Sequence, residues 1–343
     1  MRRALLRGAV FETGYADREL LAQPQPAAAT VVSGVLTEIT EQAIVVKGSD
    51  GSDQFLALSP GTVSWLGARV SPSALRVGDP VIVRHRTHRL IPSTPSTPST
   101  PGGSGGAAGG GATASVAERI WARIGRVTGA IVAVRGPDIL VDNGQHGREP
   151  LHVVIAEASM RHVQVRFPRL SPGHLIDVIG TRHDDYLLAV APATTAQPPY
   201  LADHPPAPPP ASGHLSGPIS GTAVWHEPGD EPDGLMGLGY AALDPETEAQ
   251  QIGPSASDQV QPCVRLPYLS LGSAVRITNE CSKRAAVLPV TSASVSARQF
   301  CDRCVTCGTS PRGRIADLTM AAFVELGGNL EEGCFNATLT LAN

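Results

Sequence analysis

An all-β, multidomain chain is predicted by three observations. Glycine and proline supply 36 and 30 of the 343 residues while aromatics make up only 4%, a balance that favours short strands and turns around small cores. Runs of β-branched residues recur between clusters of Gly, Asp, Ser and Pro. Two segments 95 residues apart also repeat one another, the mark of a duplicated module. The length exceeds that of a usual single domain, so two or three are expected. A formal charge of −4 provides no basic field and argues against a nucleic-acid partner.

Residues 1–29 read as a disordered tail. Met1, Arg2 and Arg3 supply the positive start of an export signal, but Arg7 interrupts the run of about 7–15 apolar residues that such a signal requires. The stretch Ala22–Thr30 has the Pro/Gln/Ala composition of a tether that often follows an export signal. No stretch approaches the roughly 20 apolar residues of a membrane span.

Residues 30–91 form the first ordered unit. Val31–Thr40 and Ala43–Lys47 are β-branched runs, Gly48–Asp53 is a hairpin loop, Gln54–Leu58 returns from it, and Leu75–Arg84 supplies a further turn and strand. Five short strands in about sixty residues predict a small closed or partly closed barrel of OB type. Residues 92–118 read as a linker: Ser93–Pro101 repeats Ser-Thr-Pro and favours extended conformations, while Gly102–Gly111 is flexible coil. The units on either side are therefore expected to move independently. Ser/Thr/Pro tracts of this kind are also common glycosylated spacers in exported proteins.

Residues 119–192 repeat the first barrel. Val127–Arg135 answers Val32–Thr40, Asp138–Asp142 answers Ala43–Lys47, and Leu170–Ile179 answers Leu75–Val83. This copy carries His146, His152, His162, His174 and His183. They lack the i, i+2 or i, i+4 grouping of metal ligands and have no cysteine nearby, so they read as strand and turn residues, and no metal site is expected. Residues 193–216, rich in proline, read as an extended spacer that carries the C-terminal domain away from the two barrels.

All six cysteines, Cys263, Cys281, Cys301, Cys304, Cys307 and Cys334, fall in residues 217–343. An even number confined to one module fits three disulfides in an oxidising compartment, although six cysteines allow 15 connectivities. The compact spacing of Cys301, Cys304 and Cys307 also fits a metal site, and buried thiols are a third reading. Within this domain Leu271–Asn279 reads as a strand in which Ala274, Arg276 and Thr278 alternate with Val275 and Ile277. Asp317 precedes an apolar run with Leu318, Ala322 and Leu326 at i, i+4 and i+8, closed by Gly327 and Gly328. This predicts a short helix capped by Asp317.

These residues carry a resemblance. Leu266-Pro267, Leu271–Asn279 and Asp317–Phe323, with Gly221–Trp225 and the glycine-rich Gly234–Tyr240, together resemble double-psi β-barrels of the rare-lipoprotein-A and expansin type over residues 217–343. The resemblance implies a six-stranded double-psi β-barrel with a short helix, and a groove that binds a glycan strand. It implies a catalytic acid at Asp317, a second at Asp230 with Asp233 behind it, and stacking residues at Trp225, Tyr240 and Tyr268. One acid would protonate the glycosidic oxygen while the other stabilises the developing charge. The sequence departs from the pattern by having Ile315-Ala316 where expansins place a histidine. It also has Val290–Arg298 where the lytic enzymes carry an acidic turn.

The expected protein is therefore an exported, extracellular or wall-associated monomer that binds peptidoglycan or wall polysaccharide without hydrolysis and without a cofactor. The alternatives are a lytic transglycosylase-like or glycosidase-like enzyme using Asp317 and Asp230, and a structural or docking module with a vestigial groove.

Overall fold

The computed structural model describes residues 30–89, 113–143, 149–193, 217–227, 234–240, 242–243, 266–294, 300–302, 304, 306 and 312–342. The protein is almost entirely β, arranged as three closed barrels. The first consists of β1 (Thr30–Ile39), β2 (Ala43–Lys47), β3 (Asp53–Ala57), β6 (Pro80–Arg89) and β7 (Thr113–Ala122), in the order β3-β2-β1-β6-β7 with β3 meeting β7 in parallel. The short β4 (Val63–Trp65) and β5 (Arg69–Val70) extend this sheet beyond β7. The second consists of β8 (Ile124–Arg135), β9 (Asp138–Asp142), β10 (Leu151–Ile155), helix α1 (Glu157–Arg166), β11 (Leu175–Arg182) and β12 (Leu187–Pro192), closed as β10-β12-β11-β8-β9 with β10 and β12 parallel. The two orders are the same, strand for strand, and are those of an OB-like barrel.

The repeat extends to individual residue pairs. Leu36 faces Val46 and, past a bulge, Glu38 faces Val45; 95 positions on, Ile131 faces Val141 and, past the same bulge, Ala133 faces Leu140. Gly34 and Gly129 are also equivalent. A Cβ added to either would collide with a carbonyl oxygen of the neighbouring strand, that of Lys47 or Asp142, so only glycine admits this close approach.

The position of β7 corrects the expected organisation. It lies partly in the segment read as linker and partly in the start of the second barrel, yet it pairs along β6 and closes barrel one. The Ser/Thr/Pro and glycine-rich stretch is thus an insertion between the fourth and fifth strands of one barrel, and Arg123 alone separates β7 from β8. Freely moving barrels are excluded by that one-residue connection. Arg123 donates its backbone N–H to Pro80 O at 2.8 Å and accepts from Arg182 N at 2.6 Å, which holds it between the two barrels.

The third barrel contains β13 (Ile219–His226), β14 (Leu238–Tyr240), β15 (Ala274–Asn279), β16 (Ala285–Ala293), β18 (Arg312–Thr319) and β19 (Cys334–Leu341), in the order β13-β19-β15-β16-β14-β18 and closed by β13 on β18. The short β17 (Cys301–Asp302) joins the edge of β18. Exchanging β13, β14 and β15 with β16, β18 and β19 maps the order onto itself and exchanges the two parallel pairs, β13 with β18 and β14 with β16. That internal two-fold is the double-psi arrangement. In β15, Val275 and Ile277 point into the core as their alternation predicts.

Helix α2 (Met320–Glu325) follows β18, and here the predicted cap is corrected. Asp317 is inside β18, opposite Val224 and Gly239, and the cap is Thr319, whose hydroxyl accepts from Ala322 N at 3.4 Å. Strand pairing on both sides claims the residues up to Thr319, overriding the local capping pattern. Among the described residues no helix is long and apolar enough to cross a membrane.

The third barrel is not held away from the others. Helix α2 packs on β1 and β6, Phe300 is buried in the core of barrel two, and Glu331 takes hydrogen bonds or ion pairs from Trp121 Nε1 and Arg119. At the centre is a chain of four charges. Arg126 forks onto Asp177 at 2.9 and 2.7 Å, Arg314 reaches the same carboxylate, and Arg314 Nε binds Asp302 at 2.5 Å. No side chain in this chain is more than 2% exposed. The second guanidinium arm of Arg126 donates to Trp225 O and Gly333 O at 3.0 and 2.8 Å, so its donors serve both barrels.

Burial alone would raise the Asp177 carboxyl, but Arg126 and Arg314 with their hydrogen bonds outweigh it and hold it below the ordinary value. The stability it contributes is therefore complete above about pH 3.9, the unfolded value, and is lost as pH falls through the depressed native one. Asp177→Ala leaves two buried guanidinium groups without their shared anion, which typically costs about 3–5 kcal/mol. Urea unfolding at pH 7 is expected to show that loss, and the gap between wild type and variant is expected to narrow in strong acid. A cost under about 1 kcal/mol would contradict the role given to this carboxylate.

Candidate functional site

Asp317 was the residue on which the expected chemistry rested, and the fold places it inside the third barrel. Ser294 Oγ, beyond the end of β16, donates to one carboxylate oxygen at 2.8 Å, and His226 Nδ1, at the end of β13, lies 3.3 Å from the other. A histidine does reach Asp317, but from a neighbouring strand and not from the two positions before it in β18. Asp317 is 2% exposed and Ser294 1%. A general acid must come within hydrogen-bond reach of the oxygen it protonates, and here both carboxylate oxygens are engaged by the barrel itself. Sequence reasoning missed His226 and Ser294 because neither sits in a recognisable motif; only strand pairing unites them.

The expected stacking residues separate into two groups. Trp225 and Tyr240 are 1% and 0% exposed; the indole donates to Leu330 O at 2.9 Å and the phenol to Pro267 O at 3.1 Å. They are core residues with their polar ends satisfied, and present no face to a sugar. Tyr268 is 48% exposed. Asp230 and Asp233 lie outside the described residues.

The described cysteines meet the expected disulfide pattern only in part: Cys281 is disulfide-bonded, and the others depart from it. Neither Cys304 nor Cys334 is in a disulfide, and the sulfurs of Cys281 and Cys304 are 3.7 Å apart, beyond bonding distance. Three bridges using all six cysteines are therefore not formed. Burial pushes the Cys334 thiol well above its ordinary pKa, with Asp302 and Cys304 adding to the effect. Cys263, Cys307 and the side chain of Cys301 lie outside the described residues. Among those residues no group of three or more His, Cys, Asp and Glu is placed to hold a metal. The histidines of barrel two are spread out: His152 pairs with Asp138 at 2.9 Å, His174 with Ser171 at 3.0 Å, His183 stacks on Tyr186, and His162 is exposed on α1. His146 lies outside the described residues.

A concave feature lies at the junction of the three barrels. A cavity of about 270 Å³ is lined by Ile82 and Trp121 from barrel one, Arg123 and Ile124 at the crossing, Arg182 from barrel two, and Glu227, Leu235 and Met320 from barrel three. Glu227 accepts both contacts of Arg182 NH2 at 2.6 Å and the backbone N–H of Arg126. Desolvation raises its carboxyl above the ordinary value, against the opposing pull of Arg182.

No family model matches the chain, and no curated protein is significantly similar to it.

The Asp317 cluster makes a prediction of its own. Asp317→Ala removes a partner from the buried Ser294 hydroxyl and from the partly buried His226 imidazole, and each lost hydrogen bond costs about 0.5–1.5 kcal/mol. A melting-temperature loss of several degrees is expected, whereas Asp317→Asn, which retains an acceptor oxygen, is expected to lose less. Equal stability of all three proteins would show that these contacts do not support the barrel.

Proposed function

We propose that the protein is an exported, wall-associated binding protein whose third barrel engages peptidoglycan or wall polysaccharide without cleaving it. The observation that carries the non-hydrolytic part is the engagement of Asp317. Buried in β18 and bound by Ser294 and His226, its carboxylate braces the barrel and offers no proton to a glycosidic oxygen. The glycan part is supported by the double-psi topology and by the family-like order of Trp225, Gly234–Tyr240 and Asp317, with Tyr268 as the exposed ring among the three expected for stacking.

A second reading, that this barrel is a structural or protein-docking module, is favoured by the burial of Trp225 and Tyr240, which takes two of those three rings out of reach.

The test requires the full chain, because the isolated third barrel would expose Arg314 and Phe300, which are buried against barrel two. Wild-type protein is expected to sediment with purified walls and to release little or no soluble sugar or muropeptide. Tyr268→Ala is expected to sediment less at equal protein stability, since a ring stacked on a ligand is worth about 0.5–1.5 kcal/mol beyond its buried area. Failure of the wild type to sediment would favour the docking module. Robust product release abolished in Asp317→Asn would establish the enzyme.

A further inference from the structure

Arg123 is one of two described non-glycine residues with positive φ, at 52°. A left-handed backbone disfavours any side chain with a Cβ, and glycine adopts it without strain. The position is also the whole connection between barrels one and two, held on both sides by backbone hydrogen bonds. A residue kept in such a conformation invites a functional reading of its side chain.

The side chain of Arg123 lines the cavity at the three-barrel junction. Its Nε donates to Arg182 O at 3.0 Å, and one terminal nitrogen lies 3.6 Å from Asp79, too far for a strong hydrogen bond. Asp79 in turn accepts from Arg76 N at 2.9 Å. The other charged groups on the cavity wall, Arg182 and Glu227, are tied to each other. Those two charges answer one another, whereas the Arg123 guanidinium, ion-paired with Asp79 at 3.6 Å and 34% exposed, keeps terminal donors for a further partner. The cavity wall also includes the apolar side chains of Ile82, Ile124, Leu235 and Met320.

We propose that this cavity is a binding site for a small amphipathic carboxylate, with its anionic head on Arg123 and its apolar body between barrels one and three. Guanidinium matches carboxylate geometry, and a concave apolar wall with one placed cation is the usual construction of such a site. The site requires all three barrels to be in place.

Octanoate is the probe and octanol its uncharged control, read by melting temperature and by the fluorescence of Trp121, which lines the cavity. Octanoate is expected to bind and stabilise the wild type more than octanol does. Arg123→Gly suits the backbone, so it is expected to fold with unchanged or higher stability and yet to bind octanoate about ten- to hundredfold more weakly, the worth of a charge-assisted contact. Arg123→Lys is expected to retain part of the affinity. Leu235→Trp, which fills the cavity and leaves Arg123 in place, is expected to abolish binding and serves as a second arm if Arg123→Gly does not fold. Absence of an octanoate effect on the wild type, equal stabilisation by octanol, or full binding by Arg123→Gly or Leu235→Trp would overturn the proposal.

Discussion

The carboxylate of Asp177 is where the three-barrel architecture is decided. It lies in β11 of the second barrel, takes Arg126 from its own barrel and Arg314 from the third, and through Arg314 is coupled to Asp302. Two positive and two negative charges are thereby removed from water together. Desolvating any one alone would cost several kcal/mol, so the arrangement is tolerable only when every member is present and hydrogen-bonded. Thr128 and Thr222 add donors at 3.0 and 3.2 Å, and Phe300 covers the Arg314 guanidinium at 4.1 Å. Such a network specifies orientation more than it adds stability, because a rotated barrel would strand charges that apolar packing would forgive.

From that constraint follow the features that bear on function. With barrel two locked to barrel three, and barrel one joined to barrel two through Arg123, helix α2 is brought against β1 and β6. The small space left where the barrels meet is the cavity. In the same body Asp317, the acid expected of a hydrolytic alternative, is engaged inside the third barrel by Ser294 and His226. The cavity exists because three units share one core, in which Trp65 and Trp121 of the first barrel cluster with Trp225 and Leu238 of the third.

Much of the fold was legible in the sequence, because duplication and alternation are local signals. The 95-residue offset holds down to equivalent bulges and equivalent close-approach glycines, and Val275 and Ile277 alternate into the core as read. Strand β7 was not legible, since a fifth strand placed after a low-complexity insertion looks like the start of the next unit. The interface between barrels was illegible for a different reason: it rests on single charged residues in apolar strands. Asp177 is the clearest signal, a carboxylate in a strand buried at every position but the last, and such a residue requires a partner that no local pattern can name. At the site, Asp317 was found but given the wrong local role, because its capping pattern was outweighed by pairing with Val224 and Gly239.

That the barrels form one cooperative body is tested most directly by equilibrium unfolding of the full chain in urea, followed in parallel by tryptophan fluorescence and far-ultraviolet circular dichroism. Trp65 and Trp121 report on the first barrel and Trp225 on the third, while the dichroism reports on all the strands. A single transition with coincident midpoints is predicted, as expected for units that share a core and a buried charge network. Two separated transitions, with part of the β signal lost while the tryptophans remain buried, would contradict it.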